Sequence, residues 1–182
     1  MQRALFAMVL LLAARGVVAA EPLLDERNVN AQAVISALRP EASGSIGETR
    51  GIRRNDASPG NTGMVATAQP SIALLITFST NSSTLTPRAR SALDKVADAL
   101  RSQQLSDYRF RIEGHADPRG SSDANMKLSA ERAASVVRYL SRVDGIAPDR
   151  LVAIGKGSQE LAKPDEPAAP ENRRVTIVRL GE

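Results

Sequence analysis

The chain has 182 residues, enough for one ordinary domain with additional segments but not for two full domains. It contains no cysteine and one histidine, which excludes disulfides and Cys-type zinc sites and leaves little material for a multi-histidine metal site or a Ser-His-Asp triad. The formal net charge is +4, or about +2 without Arg3 and Arg15 of the N-terminal segment, so we expect no nucleic-acid partner.

The N-terminal 20 residues have the three parts of a secretory signal peptide. Arg3 gives a positive start, residues 4–14 form an apolar run, and small residues precede Glu21. An uncleaved membrane anchor is the alternative, but Arg15 interrupts a stretch that is shorter than the about 20 apolar residues of a spanning helix. No cysteine follows the run, so a lipid anchor is not expected. We therefore predict a signal peptide at 1–20 and export.

The segment 21–69 is expected to form a short helix and then a flexible linker. The helix is indicated by apolar residues that share one face, Val34, Ile35 and Leu38. Pro40 ends this pattern, and the rest of the segment is rich in Gly, Ser, Asn and Thr, which is typical of a linker. We therefore place the domain boundary at residue 70.

Residues 70–182 are predicted to form one domain with the order β-α-β-α-β-β. Strands are indicated by apolar runs or alternation at 71–78, 108–113, 151–154 and 175–180. Thr86 as N-cap and Pro87 in the first turn begin the first helix, and a second helix runs from about 122 to 143. Strands that alternate with helices predict an α/β (α+β) fold, in which helices pack against one mixed sheet.

The second helix carries Arg132 at the edge of its apolar face. That face, at about 100° per residue, holds Leu128, Ala133, Val136, Leu140 and Val143. An arginine there needs an anionic partner, because an unpaired buried charge is costly. Asp117 follows a strand directly before this helix, at the edge where ligands of open α/β sheets gather.

Asp117 and Arg132 together match a zwitterion, since the carboxylate suits an ammonium group and the guanidinium suits a carboxylate. Two other interpretations of the same residues remain open: the two side chains pair only with each other, or Asp117 only stabilises a turn.

Separated motifs occur in order in this half of the chain, namely Gly114-His115-Ala116-Asp117, Asn125, Leu128-Ser129-Ala130-Glu131-Arg132-Ala133 and Asn172-Arg173-Arg174-Val175. Together they resemble the motifs of the OmpA-like domain family, and the resemblance covers residues 72–180. It implies non-catalytic binding of peptidoglycan through the diaminopimelate of the stem peptide, with no cofactor.

The resemblance also implies roles for individual residues. Asp117 and Arg132 match the family's Asp and Arg that engage the amine and the carboxylate of diaminopimelate, and Asn125 matches an Asn that shapes the pocket. The other residues expected to contribute to peptidoglycan binding are His115, Ala116, Leu128, Arg173 and Arg174. Ala116 departs from the usual Thr of the family, so we expect no hydroxyl contact from this position. The loop Phe78-Ser79-Thr80-Asn81 likewise lacks the family's usual Asp.

The resemblance implies a location in the periplasm of a Gram-negative bacterium, at the outer membrane or the cell wall, with other envelope proteins as further candidate partners. A membrane-anchored stator- or secretion-type component that uses the same domain is the alternative. A wall hydrolase with Glu113 and Asp117 as paired carboxylates is a further alternative. Glu113 alternates with Ile112 on a strand, which favours a polar strand face and no enzymatic activity.

Overall fold

The computed structural model describes residues 22–39, 69–79 and 82–181. Within these ranges the strands are β1 (Leu23–Asp25), β2 (Ser71–Leu75), β3 (Phe110–His115), β4 (Leu151–Gly157) and β5 (Val175–Arg179). The α-helices are α1 (Ala31–Leu38), α2 (Pro87–Arg101) and α3 (Ser122–Arg142). The predicted signal peptide at 1–20 and residues 41–68 of the predicted linker lie outside the described residues.

The strands form one mixed sheet in the order β1-β2-β5-β3-β4. β1 is parallel to β2, β3 is parallel to β4, and β5 runs antiparallel to both of its neighbours, β2 and β3. The predicted fold class, a mixed sheet with helices packed against it, is confirmed. This arrangement brings the carboxyl ends of four strands and the amino end of β5 to the same edge of the sheet.

Side-chain caps begin the helices where the sequence places polar residues before an apolar stripe. Thr86 Oγ1 accepts a hydrogen bond from Ala89 N at 3.2 Å, and Ser121 Oγ accepts one from Ala124 N at 3.2 Å. The predicted N-cap at Thr86 is therefore confirmed. Within the described residues, no helix is both long enough and apolar enough to cross a membrane.

The apolar face of α3 is shorter than its sequence pattern indicates. Ala133, Val136 and Leu140 are buried as predicted, whereas Val143 is 64% exposed. The prediction for Val143 is wrong because α3 ends at Arg142, and Val143 is the C-cap residue, whose side chain lies beyond the packed turn. Leu128 is half-buried.

Two glycines allow α3 to lie directly on β3 and β4. A Cβ on Gly114 would lie 2.1 Å from the Ser129 carbonyl oxygen, and one on Gly155 would lie 2.7 Å from the Ala130 backbone nitrogen. Ser129 Oγ also accepts a hydrogen bond from Gly157 N at 2.9 Å. The close approach couples the position of α3 to the ends of these strands, which carry the candidate site.

The segment before the predicted domain boundary packs onto the same sheet. β1, which was not predicted, pairs in parallel with β2, and α1 packs against α2 and β2. The α1 side chains that enter the common core are Val34, Ile35 and Leu38, as their spacing indicates. Whether residues 70–182 fold alone stays a prediction, and this packing sets what we expect of its test.

A fragment of residues 70–182 should be markedly less stable than one of residues 22–182. It loses the β1 pairing and the burial of side chains that each stabilise the fold by about 1.5–3 kcal/mol, so the free energy of unfolding should fall by at least about 3 kcal/mol. Urea denaturation of both fragments measures this difference. If the two fragments unfold with the same urea midpoint and the same slope, the segment before residue 70 does not stabilise the domain.

Candidate functional site

A cleft of about 610 Å³ opens at the edge where the strands' carboxyl ends meet the amino end of β5. Its walls come from the turn after β1, the chain after β2, the loop after β3 and the segment before β5, and Arg132 of α3 also lines it. This is the edge at which open α/β sheets bind ligands. The cleft is therefore the candidate functional site.

The loop after β3 is held in one conformation by Asn125 of α3. Asn125 Nδ2 donates hydrogen bonds to the carbonyl oxygens of Asp117 and Arg119, both at 3.0 Å. Ala116 N donates to Gly157 O at 2.8 Å, and Gly120 closes the turn with a φ of 90°, which favours glycine. The buried amide of Asn125 thus shapes the loop without itself lining the cleft.

The Asp117 carboxylate is buried and held by two arginines. Oδ1 accepts from the backbone N and the Nε of Arg119, both at 3.1 Å. Oδ2 accepts from Arg119 Nη2 at 2.6 Å and from Arg173 Nη1 at 2.8 Å. The hydrogen bonds from Arg119, and then those from Arg173, hold the pKa of Asp117 well below its usual range against the effect of burial. Asp117 is therefore a permanent anion at neutral pH.

Replacing Asp117 by asparagine should destabilise the fold at neutral pH and matter less in acid. Because the folded-state pKa of Asp117 is lowered, its ion pairs contribute stability above the ordinary aspartate pKa of about 4, and this contribution is lost as the pH falls below it. We expect a difference of about 1–2 kcal/mol at pH 7, since both arginine partners are partly exposed. Urea denaturation of wild type and Asp117→Asn between pH 7 and pH 3 measures it. If the difference in free energy of unfolding between the two proteins does not decrease in acid, the ion pairs of Asp117 do not stabilise the fold as described.

Arg132 reaches the same cleft from α3 through a different set of contacts. Its Nε donates to the Ser82 carbonyl oxygen at 3.2 Å, and its guanidinium carbon lies 4.9 Å from the centre of the Phe78 ring. Burial and the nearby Arg173 lower the pKa of Arg132, whereas Asp117 raises it. Among the described residues, Nη1 and Nη2 have no hydrogen-bond acceptor in the protein, so they are available to an anionic ligand.

Arg173 is positioned by the residue before it. Asn172, which is fully buried, donates from Nδ2 to three carbonyl oxygens of the preceding loop, those of Lys163, Glu166 and Pro167. Its Oδ1 accepts from Lys163 N at 2.9 Å. These bonds fix the chain that leads into β5, so that Arg173 Nη1 meets Asp117.

Positive charge predominates along the cleft. The guanidinium groups that line it are those of Arg27, Arg88, Arg119, Arg132, Arg173 and Arg174. Two carboxylates also line it, but both bind backbone: Glu26 Oε1 accepts from Thr77 N at 2.5 Å, and Asp25 Oδ1 accepts from Arg27 N at 3.2 Å. The cleft therefore favours a ligand that carries carboxylate or other anionic groups.

His115 connects the cleft to a partly buried polar cluster beside it, formed by Glu113, Lys156 and Glu160. Among the described residues its two ring nitrogens have no hydrogen-bond partner, and burial, followed by the charge of Arg174, lowers its pKa to about 4. Potential metal-ligand atoms of Glu113, His115 and Glu160 lie within 4.8 Å of one another. Lys156 Nζ already lies 2.7 Å from Glu160 Oε1 and 3.6 Å from Glu113 Oε1, so the carboxylates are compensated by a cation of the protein.

Most of the residues predicted from the sequence lie in or next to the cleft. Those that line it are His115, Arg132, Arg173 and Arg174, and Asp117 is bound to two lining arginines. Asn125 is buried on α3, where it binds the loop, and Ala116 is buried within the loop itself. Leu128 lies half-buried on α3, outside the lining residues.

Sequence reasoning missed several contributors to the cleft. Arg119 belongs to the turn sequence Asp117-Pro118-Arg119-Gly120. An arginine in such a turn indicates an exposed residue and does not reveal an ion pair with Asp117. Arg27 and Glu26 belong to the turn after β1, a strand too short to show a pattern. The contacts of Arg132 with Phe78 and Ser82 depend on tertiary packing that spacing does not reveal.

Comparisons with a family model and with individual proteins assign the chain to the same family. Residues 77–174, more than half of the chain, match the OmpA family. The chain is similar to the peptidoglycan-associated lipoprotein of Pseudomonas aeruginosa, with 39% identity over 55% of this chain and 58% of that protein. It is also similar to the peptidoglycan-binding protein ArfA of Mycobacterium tuberculosis, with 37% identity over 57% of this chain and 31% of that protein.

Solved structures give the same result for the fold. The chain is similar to the crystal structure of the peptidoglycan-associated lipoprotein from Burkholderia pseudomallei, with a TM-score of 0.50 and 27% identity over 58% of this chain and 88% of that one. The chain thus spans 58% and 31% of the two relatives named above but most of this solved domain. The likeness is to one domain of these proteins.

Proposed function

Because this chain belongs to the OmpA family, we propose that it binds cell-wall peptidoglycan without catalysis and anchors itself or an envelope complex to the wall. We further propose that the point of attachment is the diaminopimelate residue of the stem peptide. The names of two similar proteins, a peptidoglycan-associated lipoprotein and a peptidoglycan-binding protein, support the first part. The geometry of the cleft supports the second.

One observation carries this proposal. The buried Asp117 carboxylate is held by two arginines of the cleft that Arg132 also lines, and the Nη groups of Arg132 have no hydrogen-bond acceptor among the described residues. Asp117 is bound to Arg119 and Arg173, and Arg132 is bound to the Ser82 carbonyl oxygen, so each residue has its own hydrogen-bond partners at the cleft. The far end of diaminopimelate carries an ammonium and a carboxylate on one carbon. Asp117 suits the ammonium, and the Nη groups of Arg132 suit the carboxylate.

The remaining residues support this pair. Arg173 and Arg174 add positive charge for further carboxylates of the stem peptide, and Asn125 holds the Asp117 loop. His115, neutral and lining the cleft, contributes a surface for the aliphatic part of the ligand. Two more residues complete the proposed binding set, Ala116 in the loop and Leu128 on α3.

Co-sedimentation with purified peptidoglycan of two chemistries tests the proposal. We expect the protein to sediment with diaminopimelate-type wall and to be released by the soluble tripeptide L-Ala-γ-D-Glu-meso-diaminopimelate. Lysine-type wall should bind weakly, because lysine lacks the carboxylate that Arg132 requires. Equal sedimentation with both walls, or none with either, would contradict the proposal.

A wall hydrolase is the competing function, and the protonation states in the cleft argue against it. A general acid or base works best with a pKa near the operating pH. Asp117 has a pKa held well below its usual range, and His115 has a pKa lowered to about 4. Incubation with purified wall should therefore release no soluble fragments. Release that depends on Asp117 would overturn the non-catalytic assignment.

We propose a periplasmic location, at the outer membrane or the wall, after cleavage of a signal peptide at Ala20. The charged start and apolar run of residues 1–20 motivate this. N-terminal sequencing of the protein from its host should begin at or near Glu21. A chain that begins at Met1 and fractionates with membranes would instead favour the membrane-anchored stator- or secretion-type component.

A further inference from the structure

The acceptor positions of the Asp117 carboxylate are all in use. A carboxylate offers about four lone-pair sites. Oδ1 accepts from the N and Nε of Arg119, and Oδ2 accepts from Arg119 Nη2 and Arg173 Nη1. A ligand ammonium can therefore reach this anion only when one of its present partners leaves.

Arg119 is the partner that can leave most easily. Its side chain is 67% exposed, compared with 39% for Arg173, and Asp117 accepts both of its guanidinium hydrogen bonds. Arg173 is held further by a contact of Nη1 with the Ala168 carbonyl oxygen at 3.4 Å. The loop itself does not need the Arg119 side chain, because Asn125 binds the backbone carbonyl of Arg119.

We infer that Arg119 is a displaceable cap on Asp117, a specificity-determining residue that the ammonium group of the ligand replaces when it binds. This inference rests on the proposed function and adds a step to it. The exchange substitutes one cation for another, so Asp117 stays compensated throughout. A ligand whose diaminopimelate side-chain amine is blocked cannot make the exchange and leaves the cap in place.

The test compares wild type with Arg119→Ala on two peptides. The first is L-Ala-γ-D-Glu-meso-diaminopimelate with its free side-chain amine, and the second is the same tripeptide with that amine acetylated. An exposed ion pair of this kind stabilises the capped form modestly, so Arg119→Ala should lower the Kd for the free-amine peptide about two- to fivefold. The acetylated peptide should bind both proteins equally weakly. Calorimetric titration gives all four constants.

Arg119→Lys is the matched variant, because it keeps the charge but replaces the two-pronged contact by a point contact. Its Kd for the free-amine peptide should lie between those of wild type and Arg119→Ala. Circular dichroism checks folding, which we expect to persist because the alanine variant retains the backbone hydrogen bonds of this turn.

The possible results distinguish a failure of the Arg119 inference from a failure of the proposed function. Wild type that binds the free-amine peptide, with Arg119→Ala no tighter, overturns the cap and leaves the proposed function standing. The same holds if Arg119→Ala binds both peptides more tightly, because the gain would then not depend on the ammonium. Failure of wild type to bind the free-amine peptide overturns the proposed function and the cap with it.

Discussion

Arg132→Ala is expected to weaken binding to diaminopimelate-type peptidoglycan by about 2–5 kcal/mol, which would abolish sedimentation at ordinary concentrations. The reason is that Arg132 is half-buried, and its Nη groups meet no acceptor among the described residues. A charge-assisted contact in such a place contributes more than an exposed one. Sedimentation against a series of wall concentrations measures the loss.

Arg132→Lys should also weaken binding, since an ammonium cannot make two parallel bonds to a carboxylate. Arg138→Ala is the control, because Arg138 is exposed on α3, outside the cleft, and its Nη2 binds Ser135 Oγ at 2.6 Å. Circular dichroism must show that each variant is folded, because Arg132 also packs on Phe78. If the folded Arg132→Ala protein sediments like wild type, Arg132 does not contribute to wall binding.

Gly114→Ala is expected to lower the free energy of unfolding by at least about 3 kcal/mol, the upper end of the usual range for overpacked cores. The new methyl group would lie 2.1 Å from the Ser129 carbonyl oxygen, which belongs to the backbone of α3 and cannot rotate away. Either α3 moves from β3 or the strand distorts. Urea denaturation measures the effect.

Gly181→Ala is the matched control, because no described residue other than its chain neighbour lies within 4 Å of a Cβ at Gly181. It should change stability by less than about 0.5 kcal/mol. If Gly114→Ala remains as stable as Gly181→Ala, the close approach of α3 to β3 is not the constraint that we describe. The same displacement of α3 should impair wall binding, since α3 carries Arg132 and the strand leads into Asp117.

The sequence predicted the parts of the fold that depend on local patterns. Thr86 and Pro87 begin α2 because a side-chain oxygen and a fixed φ act within one turn. The helical spacing of Val34, Ile35 and Leu38 predicted their burial in α1, but not the partners they would meet. β1 was missed because three residues carry no periodicity and its partner β2 lies far along the chain.

The sequence predicted the site residues whose charge stands out against the apolar pattern around them. Arg132 stood out because an arginine beside buried residues needs an anion, and Asp117 stood out because it follows a strand directly before a helix. The direct pairing of Asp117 with Arg119 and Arg173 was not foreseen, because it depends on how the turn and the β5 approach fold. An exposed arginine in a turn looks the same in sequence whether or not it caps a carboxylate.

The most direct test of the central claim is an NMR titration of ¹⁵N-labelled protein with L-Ala-γ-D-Glu-meso-diaminopimelate. We predict that the largest shifts occur at the backbone amides of His115, Ala116, Asp117 and Arg119 and at the Nε–H groups of Arg132 and Arg173, with saturation as the peptide is added. The cleft would not be the binding site if these signals stayed unchanged at about 1 mM peptide, or if the shifts clustered at the opposite edge of the sheet.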